Sequence, residues 1–100
     1  MSPGIRSAAE ADALGALRTR FDAVDDQLVA LIVERARLAD EAGAIKKSMG
    51  LAVRDLARED ASSLRRRARA KALIGDDSLR PLVDEVFAAL VAASRARQER

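Results

Sequence analysis

Leu17 to Lys46 read LRTRFDAVDDQLVALIVERARLADEAGAIK. The regular apolar positions are Leu14, Leu17, Phe21, Val24, Leu28 and Leu31, then Leu38, Ala42 and Ile45. Their steps alternate three and four residues, which is the seam of a helix packed against other helices. One member of the series is charged: Arg35 stands where an apolar residue is due. The seam sets the fold class, and its interruption points to a function.

Working outward, the periodic text predicts a first helix from about Asp12 to Lys47. At about 1.5 Å per residue it is roughly 50 Å long. A compact chain of this size has a radius of gyration near 13 Å, so the rod cannot fold back inside its own globule. The expected remedy is a second copy of the chain covering the seam in a symmetric dimer. The alternative is a break near Gly43, giving a monomeric bundle. Residues 1–10, with Pro3 and Gly4, read as a flexible leader, and residues 11–100 as one helical domain.

Gly50 is placed to end the first helix within the connection Ser48 to Val53. Asp55 sits where the N-cap of a second helix belongs, and Glu59 falls in its first turn. That helix should reach Ile74, with Gly75 as its stop. Asp76 to Ser78 should cap a third helix, with Pro81 in its first turn. The expected apolar face of helix three is Leu79, Leu82, Val83, Val86, Phe87, Leu90 and Val91. Strand-type alternation is absent, so the reading is all-α, with three helices per chain in an intertwined homodimer.

The chain has no cysteine, histidine or tyrosine. Disulfides, thiolate nucleophiles, imidazole bases and the usual transition-metal ligands are thereby excluded, and neither metal nor cofactor is expected. Any chemistry must use arginine, lysine, carboxylates, hydroxyls and amides. No stretch of signal-peptide length and no run of about 18 apolar residues occurs, so a cytoplasmic protein with no membrane partner is expected. The net charge is only +2, with mixed signs, and does not demand a polyanion.

Lys46 lies eleven residues after Arg35, three turns on and within about 20° of the same face. Two aligned cations facing a bundle need anions, from the protein or from a ligand. Arg35 could instead snorkel or pair with a structural glutamate. Arg18 lies about 100° around the helix from Arg35, so one straight rod cannot bring both onto one small molecule. An antiparallel partner could. Helix three continues its stripe into Ser94 and Gln98, neutral hydrogen-bonding groups where apolar ones are due, unless this is only a helix end turning polar. The run RRRARAK, Arg65 to Lys71, spreads its cations around the helix with no aromatic platform beside it, so it reads as a solvated face and not as a nucleic-acid site.

Taken together, LRTRFDAVDDQLVALIVERARLADEAGAIK, VRDLARE and FAALVAASRARQ resemble the all-helical class of chorismate mutase, from about Leu14 to Gln98. The resemblance implies an entwined homodimer with two equivalent sites, each drawing on both chains. It implies that Arg35 and the partner subunit's Arg18 grip the carboxylates of a small dicarboxylate substrate. Lys46 would contact a carboxylate and the ether oxygen of the breaking bond, and Gln98 would give that oxygen a second donor. Asp55 and Glu59 would address the ring hydroxyl, Ser94 would help hold a carboxylate, and Arg58 would add positive potential. The implied reaction is chorismate to prephenate, in aromatic amino acid biosynthesis, without a cofactor. Three readings compete: a mutase for 4-amino-4-deoxychorismate in a specialised pathway, an isochorismate pyruvate-lyase, and a non-catalytic helical interaction module. Feedback control would need a partner protein, on which the sequence is silent.

Overall fold

The computed structural model describes residues 3–100, with side chains from Ser7 onward. The described residues form three helices, α1 (Pro3–Met49), α2 (Leu56–Ile74) and α3 (Arg80–Gln98), with no strand among them.

α1 begins at Pro3 and not near Asp12, so the leader expected over residues 1–10 is helix from its third residue, and Met1 and Ser2 lie outside the described residues. Proline at a helix start loses no hydrogen bond, because that N–H has no partner there anyway. Ala8, Ala9, Glu10 and Ala11 then propagate the helix well. The helix passes through Gly43 unbroken.

The chain divides into two units, Met1–Glu34 and Arg35–Arg100. The first is the leading part of α1 alone. Leu17, Phe21, Val24, Leu28 and Leu31 are all exposed there, Phe21 at 67%. A single helix has nothing of its own on which to bury such a stripe.

In the second unit, the end of α1 packs on α3, and α2 packs on α3. Gly50 adopts the left-handed conformation at φ 68°. The Leu51 N–H donates to the Lys46 carbonyl at 2.8 Å and the Gly50 N–H to the Lys47 carbonyl at 3.3 Å. This pair of bonds satisfies two of the last four carbonyls of α1 and turns the chain. α2 is capped by Asp55, whose Oδ1 accepts from the Arg58 N–H at 3.0 Å. It stops at Gly75, φ 95°, whose N–H donates to the Lys71 carbonyl. The expected cap of α3 differs. Asp76 Oδ1 accepts from the Ser78 N–H at 2.9 Å, closing a turn ahead of the helix, and the N-cap is Leu79, with no side-chain bond. Pro81 in the first turn has no N–H to cap, which lessens the need.

Ala39 and Gly43 are the buried residues among those described. A Cβ on Gly43 would stand 2.8 Å from the Gln98 Cα, so α1 and α3 meet backbone to backbone at this point. Bidentate pairs fasten the rest. Arg97 donates to both oxygens of Asp40 at 2.9 and 2.7 Å, joining α3 to α1, and Arg67 donates to both oxygens of Asp84 at 2.9 and 3.0 Å, joining α2 to α3. On α3, Val83, Phe87, Leu90 and Val91 are half-buried, whereas Leu79, Leu82 and Val86 of the expected apolar face are exposed. Leu38 and Ile45 of the α1 seam also remain exposed.

Candidate active site

The face that α1 turns toward α3 carries Arg35, Ala39, Gly43 and Lys46, two small residues between two cations. Small residues let the helices approach, and the cations then reach α3 at either end of the contact. Arg35 Nη1 donates to Ser94 Oγ at 2.9 Å and, more weakly, to the Leu90 carbonyl at 3.5 Å. Lys46 Nζ donates to Gln98 Oε1 at 2.6 Å and to the Val53 carbonyl at 2.7 Å. Every acceptor in this set is neutral. An ammonium has three protons and a guanidinium five, so both groups keep donors for a further partner.

Between these cations and α2 lies a cavity of about 760 Å³, within the size range of small-molecule sites. Arg35, Lys46, Asp55, Glu59, Ser94 and Gln98 all line it, as does Arg58. Six of the seven site residues named from the sequence are therefore brought together. The seventh, Arg18, belongs to the first unit and is exposed, outside the lining.

The two carboxylates are both engaged. Asp55 caps α2 with Oδ1. Glu59 accepts from Arg54 Nε at 3.4 Å on Oε2 and from Arg95 Nη2 at 3.3 Å on Oε1. Arg95 lines the cavity, and its Nε is buried with no hydrogen-bond partner.

Sequence reasoning missed part of the lining. Arg65, Arg66 and Arg67 face the cavity, which corrects the reading of RRRARAK as a wholly solvated face; Arg69 and Lys71 do remain exposed. The aromatic platform absent beside the run in sequence is supplied by Phe87 from α3. Arg66 stacks on its ring at 4.4 Å from the centroid, and Arg35 stands 5.4 Å from the same centroid. Burial, and next the charge of Arg35, push the Arg66 guanidinium below its ordinary value. No local feature of the run marks Arg66, because its place depends on Phe87 arriving from α3.

A cation-rich cavity between helices, with neutral amide and hydroxyl groups beside the cations, has the chemistry to hold a small anion and to stabilise charge on it. Among the described residues no cluster suited to a metal ion occurs, and no helix is long and apolar enough to cross a membrane. The family model for chorismate mutase type II matches residues 17–99, and the chain belongs to that family. Comparisons with curated proteins and with solved structures give no match.

Proposed function

We propose that the protein converts chorismate to prephenate, serving aromatic amino acid biosynthesis in the cytoplasm, and that it does so as a homodimer. The observation that carries this reading is the pairing of Lys46 Nζ with the Gln98 amide at 2.6 Å, in a cavity shared with Arg35 and Ser94. With its Oε1 accepting from Lys46, the Gln98 amide presents its NH₂ as a donor. Lys46 keeps one proton beyond those given to Val53 and Gln98. Two fixed donors thus stand side by side, one cationic and one neutral.

The rearrangement occurs within one molecule and needs no nucleophile. The protein must hold the enolpyruvyl arm over the ring. It must also stabilise the ether oxygen, which gains negative charge as its bond to carbon stretches. Arg35, braced by Ser94, grips one carboxylate. The partner subunit's Arg18 supplies the grip on the other, because this chain's own Arg18 is not in the lining. Lys46 and Gln98 address the oxygen, while Asp55 and Glu59 flank the ring hydroxyl, whose single proton one of them accepts. A second copy of the chain would also cover the open stripe of Leu17, Phe21, Val24, Leu28 and Leu31.

The test is the rate of chorismate consumption by the purified protein and by two variants. A donor aimed at developing charge is worth on the order of 3 kcal/mol of barrier, or about a hundredfold. Lys46→Ala and Arg35→Ala are each expected to lose at least that factor in kcat/KM while keeping the helical circular-dichroism signal. Turnover near the unmodified rate in either variant removes the assignment.

A further inference from the structure

The mutase reading leaves unassigned which group the ring carries opposite Asp55 and Glu59. A hydroxyl and an ammonium both donate hydrogen bonds, but only the ammonium brings charge. The electrostatic surroundings of the two carboxylates therefore decide between them.

Neither carboxylate is an uncompensated anion. Glu59 has a guanidinium on each oxygen, Arg95 at 3.3 Å and Arg54 at 3.4 Å. Glu59 and Arg95 are 28% and 33% exposed, so water screens the pair only in part. Asp55 caps α2, where the positive end of the helix dipole already meets its charge. Seven of the cavity-lining residues are Arg or Lys and three are Asp or Glu, a surplus of four positive charges. An ammonium seated beside Glu59 would be attracted by one anion and repelled by the two guanidinium groups that hold it. A hydroxyl meets no such repulsion, and it leaves the substrate its full double negative charge to match the surplus.

We propose that Arg95, seconded by Arg54, is a specificity-determining residue: by neutralising Glu59 it makes the site select a hydroxyl-bearing dicarboxylate over the ammonium-bearing analogue. This rests on the mutase reading above. Arg95 acts through Glu59, as a positioning residue. Without it, Glu59 would be left with Arg54, whose side chain is 57% exposed and screened by water. Its charge would then be available to an ammonium.

The experiment measures kcat/KM for chorismate and for 4-amino-4-deoxychorismate with the unmodified protein, Arg95→Leu, Arg95→Lys and Arg54→Gln. The unmodified protein is expected to favour the hydroxylated compound by at least tenfold. Arg95→Leu should narrow that ratio at least tenfold, Arg95→Lys should preserve it, and Arg54→Gln should narrow it by a smaller factor. A merely structural arginine would lower both rates together and leave the ratio unmoved, which overturns the proposal. If Arg95→Leu does not fold, the exposed Arg54→Gln carries the test, and an unchanged ratio there counts against it equally. Equal or inverted preference in the unmodified protein overturns the selectivity alone. Turnover of neither compound overturns the mutase reading, and the selectivity with it.

Discussion

At Lys46 the ammonium gives one proton to the Val53 carbonyl and one to Gln98 Oε1, and retains a third. The arrangement depends on Gln98 being neutral. An amide donates at any ordinary pH, so activity on chorismate should be nearly level from about pH 5 to 8. Gln98→Glu replaces the donor with a group that donates only when protonated. The adjacent Lys46 would favour its ionised form, and the resulting ion pair would occupy the lysine as well. The variant should therefore be almost inactive at neutral pH and recover as the solution is acidified, while the unmodified protein shows no such limb. A pH–rate profile of the two side by side reads this directly. Parallel profiles would mean that Gln98 does not donate to the reacting oxygen.

Between elements, α1 and α3 meet where Gly43 touches the Gln98 backbone. Gly43→Ala gains up to about 1 kcal/mol of helix propensity. Against that, a Cβ 2.8 Å from backbone forces the end of α3 to shift, and such overpacking costs about 1–3 kcal/mol. The substitution should lower the Tm slightly, yet lower kcat strongly, because the displaced residue is Gln98 itself. A kcat that holds while the Tm falls would separate packing from catalysis here. The ion pairs that tie the helices give a second expectation. Hydrogen bonding from Arg67 holds the Asp84 carboxyl below its ordinary 3.8, and hydrogen bonding from Arg97 does the same for Asp40. A carboxyl depressed in the folded state stabilises it above the unfolded value, and that stability is lost as pH falls through the folded one. The Tm should thus be level from about pH 7 to 5 and decline below about pH 4. Asp84→Asn should flatten part of that decline, and a decline already complete at pH 5 would exclude these pairs as its cause. The helix stops at Gly50 and Gly75, the Asp55 cap and the Arg35–Lys46 alignment are legible in the sequence because each is a local or single-helix feature. The early start of α1 is not, because Pro3 and Gly4 read equally well as a loop. Nor are the cavity roles of Arg66 and Arg95, since these are set by Phe87 and Glu59, which arrive from other helices.

For the molecule as a whole, the exposed stripe on the first unit and the place of Arg18 outside the cavity lining pose one question. Leu28 and Leu31 are 50% and 58% exposed, and monomeric soluble proteins rarely leave so long an apolar stripe in water. If two copies join through that stripe and exchange Arg18, each site needs Arg18 from one subunit and Lys46 from the other. The consequence can be measured without a structure of the complex. Arg18→Ala and Lys46→Ala are each expected to be nearly inactive as purified homodimers. Unfolded together and refolded as an equal mixture, half of the dimers carry one subunit of each kind. In such a dimer one site collects both substitutions and the other collects neither. Activity should therefore return to roughly a quarter of that of the unmodified protein at the same concentration, since half the dimers hold one working site of two. Sites built within single subunits would give no recovery at all, because every site would then carry one of the two defects. Sedimentation of the same samples fixes the number of subunits, and a monomer at working concentration would remove both the exchange and the role assigned to the partner's Arg18.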